Sequence, residues 1–340
     1  MTQQKQSGGS GSTNVQIASV QVGLGYEDVR SIARDIFDQN FAVLTQQAGD
    51  VAAARAAEIR DEIVGRLSSA GLSADGFSQV EKQVALLEAQ KGFAVSGDEE
   101  LKKVLVDAVL SLSAAPERSL KSIVLQESVK IVSSLTPDQL KALSAIFAVR
   151  HVSFGGTNTL TELFGAYQKH INFSVGQLDI TEGSLRHLEY LGCGKTSLSE
   201  AGLYPILTGN FPGLISAGYA EADLRTAFSP DPFPPVGVVH CLRDPTKLQI
   251  AALNKKVLEA RSSSWTPHQK MVAAEKLQEN LLSESAVEAE VKSISPEAAH
   301  LWSAWSDRKL KAFELTSVGI AIGHTCLSAN GMDADLAIWL

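Results

Sequence analysis

Gly194-Lys195-Thr196-Ser197 is the stretch whose residue types come nearest to a recognisable chemistry, the holding of a nucleotide phosphate. A phosphate cradle needs GxxxxGK[ST] after a strand, so that several backbone N–H groups and a helix N-terminus converge on the phosphates. Here Glu189 stands where the first glycine should be, its charge would repel phosphate, and the residues before it read as a helix. The stretch reads instead as a helix end capped at Gly192 and followed by a loop.

His240-Cys241, His324 with Cys326, and Cys193 are soft metal-ligand types, but no pair has structural-zinc spacing, and the three cysteines read as buried thiols. Serines and histidines are plentiful, yet there is no GxSxG in a strand-elbow-helix setting for nucleophilic catalysis. His151 and His170 flank a helix and titrate near neutrality in principle; as isolated histidines they read as core or surface groups. Glu58, Asp61 and Glu62 alternate with Arg55, Arg60 and Arg66, the pattern of a solvated helix face with i,i+4 pairs. No catalytic, metal or cofactor residue is assigned, and the chain is not expected to be an enzyme.

The elements that would position any site are mainly helical. Val15 and Ile17 alternate with polar neighbours, Val20 and Val22 do so in the opposite phase, and Gly23-Leu24-Gly25 ends this strand with its bulge. Glu27 and Asp28 then open a helix whose apolar positions run from Val29 through Ile36 and Phe37 to Leu67. As one helix it would span roughly 40 residues, on the order of 60 Å at 1.5 Å per residue. That exceeds a small domain, and an edge strand without a sequence neighbour recruits partners, so Val15, Ile17, Val20, Val22, Ile36 and Phe37 are the candidate oligomerisation residues.

The 340 residues imply about two domains. A net charge of -8 argues against general nucleic-acid affinity, and a mean hydropathy of +0.03 without a long apolar run argues against a transmembrane helix. Residues 1–13 read as a polar, disordered tail rather than a signal peptide, and three scattered cysteines fit a reducing compartment, so the cytoplasm is the expected location. Residues 14–115 form an assembly region of strand, long helix and helical hairpin; residues 116–340 form an α+β recognition region with a proline-rich loop at 229–237. Proline near the first helical position after Ser, Thr or Ala marks helix starts at Pro116, Pro137, Pro267 and Pro296. The helix from Glu117 should bury Leu120, Ile123, Val124, Val129 and Val132. A helix is expected at 246–261 and a final strand at Asp335–Leu340.

One constellation remains: a helix ending in Leu191-Gly192, and Phe313-Glu314-Leu315-Thr316 leading into Val318-Gly319. It resembles the recognition helix and wing of winged-helix domains, split here by about 120 intervening residues. The chain also resembles an uncharacterised bacterial family through "GLxYEDV" at Gly23–Val29, "LTPDQLKAL" at Leu135–Leu143, "LTSVGIAI" at Leu315–Ile322 and "DLxIW" at Asp335–Trp339. The last three are similar, more loosely, to alpha-type abortive-infection proteins of phage-defence loci. That resemblance implies a binding or sensor protein with a protein ligand such as a phage component, to which the N-terminal strand and long helix add self-association. The alternative is a winged-helix DNA-binding regulator.

Overall fold

The computed structural model describes residues 25–40, 46–71, 77–307 and 310–340. Among them are fifteen α-helices and four three-residue strands, so the fold is mainly α with small β elements. The segment with Val15, Ile17, Val20 and Val22 lies outside the described residues.

α1 (Tyr26–Asn40) and α2 (Gln46–Ser69) run antiparallel: Arg30 reaches Asp61 at 3.3 Å, and Phe37 packs on Ala52 and Ala56. The single helix expected from Val29 to Leu67 is therefore two helices in a hairpin. Its alanine-thin stretch is where the Phe37 ring fits. α3 (Val80–Ser96) returns along α2, with Arg55 Nη1 donating to Ala94 O at 3.1 Å. Gly97, at φ 62°, closes α3, and Asp98 caps α4 (Glu99–Ala114) by accepting from Leu101 N. α5 (Leu120–Val132) starts at its Ser119 cap, later than the proline signal at Pro116 placed it.

α6 (Pro137–His151) opens with a capping box between Thr136 and Gln139, and every residue from Gln139 to Val149 is buried. A helix buried on all sides must lie at the centre of the fold. α7 (Leu160–Ile171), α8 (Glu182–Tyr190) and strand β1 (Gly194–Thr196) follow. Next come α9 (Leu203–Asn210), α10 (Glu221–Phe228), the strand pair β2 (Val238–His240) and β3 (Leu248–Ile250), α11 (Lys255–Arg261) and α12 (Pro267–Gln278). The helix expected over 246–261 is thus a strand followed by a short helix that starts at its Asn254 cap. α13 (Glu284–Ile294), α14 (Pro296–Asp307), β4 (Phe313–Leu315) and α15 (Ser317–Ala329) complete the order. The expected final strand is instead a 3-10 turn, Leu336–Ile338, because the Asp335 carboxylate accepts from Ala337 N and curls the chain.

α15 is the second central helix, packed on α6 and also touching α4, α5 and α7. Gly323 lets it approach closely, since a Cβ there would meet Phe147 Cβ at 2.6 Å and Leu143 O at 2.9 Å. One apolar core runs from Val29 to Leu336; a smaller one gathers Leu224, Phe228, Ile250, Trp265 and Leu277 between β1 and β4.

Candidate functional site

Strands β1 and β4 pair antiparallel, Gly194 opposite Leu315 and Thr196 opposite Phe313. The pairing brings the end of α8 and the start of α15 to one joint from either side of residues 197–312. Thr316 fastens the joint. Its N–H donates to Cys193 O at 3.1 Å, and its hydroxyl donates to Gly192 O at 2.6 Å while accepting from Gly319 N at 3.2 Å. A Cβ at Gly319 would overlap the Cys193 carbonyl oxygen, so only glycine permits α15 to start against β1.

Gly194-Lys195-Thr196 is thus a strand, where a loop was expected. The Glu189 carboxylate accepts the Thr196 N–H, and hydrogen bonding holds its pKa below the usual carboxylate value. A carboxylate therefore occupies an amide that a phosphate would need. Lys195 lies 3.8 Å from Glu314 in the same ladder.

Cys193, Cys241 and Cys326 are free and buried, with burial pushing the Cys193 thiol up to about 12 and that of Cys326 to about 11. Cys193 and Cys326 are poor nucleophiles on that account. Among the described residues no group of three His, Cys, Asp or Glu side chains could hold a metal ion. His151, His170 and His324 are each shifted below the usual imidazole value, chiefly by burial. His170 stacks on Phe154 at 5.2 Å, and His324 lies against Phe147 and Trp339 with Nε2 2.8 Å from Ala334 O.

Apart from Asp61 with Arg60, the acidic face of α2 takes its partners from other helices. Glu58, Glu62 and Glu99 surround the buried Lys102 of α4, while Asp61 takes Arg30 and Arg60. Burial disfavours the Lys102 ammonium, but its hydrogen bonds to Glu58 and Glu99 outweigh that and raise its pKa. Glu58 and Asp61 are exposed, as a solvated face requires, and what differs is that Glu58, Glu62 and Asp61 reach α4 and α1 where i,i+4 partners on α2 were expected.

Of the candidate oligomerisation residues within the described chain, Phe37 is buried among Ala52, Ala56 and Ala94, and Ile36 is half-buried. The structure exposes a different apolar surface. Val80 and Val84 of α3 are 55% and 37% exposed, and Leu120 and Ile123 of α5 are 55% and 54% exposed. Val80, Val84 and Ile123 line an open groove of about 710 Å³ rimmed by Glu81, Glu117 and Arg118. Leu120 and Ile123 were expected to be buried. The core takes Val124, Leu125, Val129 and Val132 from that helix and leaves Leu120 and Ile123 out, so the apolar stripe is wider than the face it buries. Helical spacing alone gives no signal for that excess.

Of the four sequence motifs, the first closes the start of α1 locally and the other three fall at contacts between elements. Asp28 accepts from Gly25 N, Gln139 donates to Ser184 O, Thr316 ties α15 to β1, and Trp339 reaches His151. The family profile described as ":-like" matches residues 23–340 and so takes in all four motifs. The chain belongs to that family. No curated protein and no solved structure matches it. Membership of this family names no reaction. Among the described residues, no helix is long and apolar enough to cross a membrane.

Proposed function

We propose that this is a non-enzymatic, self-associating binding or sensor protein of the cytoplasm, acting through protein contacts. The observation that carries the reading is the exposed Val80, Val84, Leu120 and Ile123 surface, since contiguous exposed aliphatics rimmed by charge mark interaction surfaces. The antiparallel order of α1, α2 and α3 puts the start of α1 at the Val80 end of α3. The alternating Val15, Ile17, Val20 and Val22 immediately precede that point in sequence, and in this reading they are received by the α3–α5 surface of another copy. A role in bacterial anti-phage defence, with a phage component as trigger, rests on the abortive-infection resemblance of the three later motifs.

The test is the solution mass of the full chain beside a chain lacking residues 1–22, across a wide concentration range. A defined oligomer that becomes smaller on truncation supports the reading; two monomers remove it. The second reading, a winged-helix DNA-binding regulator, is favoured by the β1–β4 pairing directly after α8. Against it, α8 carries Glu182 and Glu189 beside Arg186, and the net charge is -8. Binding of duplex DNA that weakens steeply with salt would support it, and no binding at low salt would remove it.

A further inference from the structure

A cleft of about 350 Å³ opens between the main body and the smaller core inserted between β1 and β4. One wall is the Gly155-Gly156-Thr157-Asn158 loop that follows α6, and the other is the β2–β3 pair with α11. Its volume is in the range of small-molecule sites, which are lined by apolar groups with a few polar groups that fix orientation.

The lining has that composition. Leu214, Ile250, Leu253 and Val257 supply aliphatic surface, and Val239 and Leu242 add side chains that remain 41% and 47% exposed. On the opposite wall, a Cβ at Gly155 or Gly156 would meet nothing within 4 Å, so a ligand can come up against the backbone there. Gly156 sits at φ 77°, which holds the wall open in a conformation other residues avoid. Charge enters the lining through Arg261. Its Nη1 donates to Ala251 O at 2.9 Å, which fixes the guanidinium at the rim, and among the described residues it has no carboxylate partner. On the loop side, the carboxylate of Glu162 is engaged by Asn158 N at 2.6 Å.

An aliphatic cleft with a fixed, unneutralised guanidinium is complementary to one ligand chemistry. We propose that this cleft binds a small amphipathic anion, its apolar body against Leu214, Val239, Leu242 and Val257 and its carboxylate, sulfonate or phosphate on Arg261. The guanidinium fork suits a planar or tetrahedral oxyanion. This inference is independent of self-association, because the cleft and the α3–α5 surface share no residue.

The probe is decanoate below its micelle concentration, titrated calorimetrically into the full-length protein, with decanol as its uncharged counterpart. The expected result is saturable binding of one decanoate per chain. Arg261→Gln should weaken it at least tenfold while leaving decanol unchanged, Arg261→Lys, which keeps the charge and loses the fork, should fall between the parent and Arg261→Gln, and Val239→Trp, a substitution at an exposed lining position, should abolish binding of both. Thermal unfolding of each variant without ligand reports whether it remains folded; the parent's preference for decanoate over decanol keeps the test valid if Arg261→Gln unfolds, equal affinity for the two overturning the proposal. Absence of saturable decanoate binding overturns the proposal. So does wild-type affinity in either Arg261→Gln or Val239→Trp, the first because the charge is then not used and the second because the ligand then sits elsewhere.

Discussion

The indole Nε1 of Trp339 donates to the backbone carbonyl of His151, the last residue of α6, at 2.9 Å. The same indole lies edge-on to Phe147 at 5.1 Å, so one side chain satisfies a carbonyl at the end of the central helix and covers an aromatic ring. Asp335, 2.6 Å from Lys121, and the Ala334 carbonyl on His324 fasten the same segment to α5 and α15. Trp339→Ala should therefore cost about 2 kcal/mol, less than a fully buried tryptophan because the ring is half-exposed. Trp339→Phe keeps an aromatic ring and loses the hydrogen bond, at about 1 kcal/mol. Urea unfolding of the three proteins gives both numbers, and equal losses in the two variants would mean that the hydrogen bond carries the whole effect.

The histidines at this joint make acid lability a second expectation. Burial holds His324 and His151 below the ordinary imidazole value of 6.5. The folded state therefore binds fewer protons than the unfolded state just below that value. Their contribution is fully present above 6.5 and is lost as pH falls through the depressed folded-state values. Burial raises Asp107, beside Arg66, above its ordinary 3.8, which acts with the opposite sign over a window opening upward from that value. Comparing His324→Gln with the parent isolates the imidazole, because the amide can still donate to Ala334 O. The variant should lose less thermal stability than the parent between pH 7 and pH 5; identical slopes in a melting series would rule His324 out as a source.

Much of this architecture was legible where local chemistry decides it. Thr136 with Gln139 and Thr266 with Gln269 are capping boxes with proline at the first helical position, and both helices begin where those residues say. The segments around Gly192 and Thr316 do meet, as a split pair requires, and that contact by itself assigns no winged helix. What was not legible depends on partners distant in sequence. The α1–α2 break follows from Phe37 meeting Ala52 and Ala56, and nothing in the spacing of either helix requires that meeting. Residues 248–250 became a strand because Val238–His240 lies alongside, which helical spacing cannot report. The cleft at Arg261 joins 155–158 to 239–261, so no single stretch carries it.

Gly319→Ala tests how rigid the α8–β1–β4–α15 joint is. The added methyl would overlap the Cys193 carbonyl, so α15 must withdraw from β1 and the Thr316 hydrogen bonds must lengthen. A loss of about 3 kcal/mol is expected, the upper part of the usual range for overpacking. Gly65→Ala, on α2, where a Cβ meets nothing within 4 Å, is the matched control and should be neutral or slightly stabilising through helix propensity. Chemical denaturation of both decides it; a Gly319→Ala protein as stable as the parent would mean that the joint yields without cost.

The remaining prediction separates the Phe37 cluster from the α3–α5 surface. Phe37→Ala removes a buried ring from a cluster of alanines, which should lower stability by about 3 kcal/mol. Val84→Glu with Ile123→Glu places two charges where the side chains are already partly in water, so unfolding should change by no more than about 1 kcal/mol. Their effects on association should run the other way. Two carboxylates on a surface that receives aliphatic side chains must be desolvated when it closes, so the double variant should dissociate at concentrations where the parent and the folded fraction of Phe37→Ala remain assembled. Light scattering over a hundredfold dilution, with unfolding monitored in the same samples, measures both effects. Dissociation that follows Phe37→Ala while the double variant stays assembled would place the contact on α1 and remove the α3–α5 surface from the assembly.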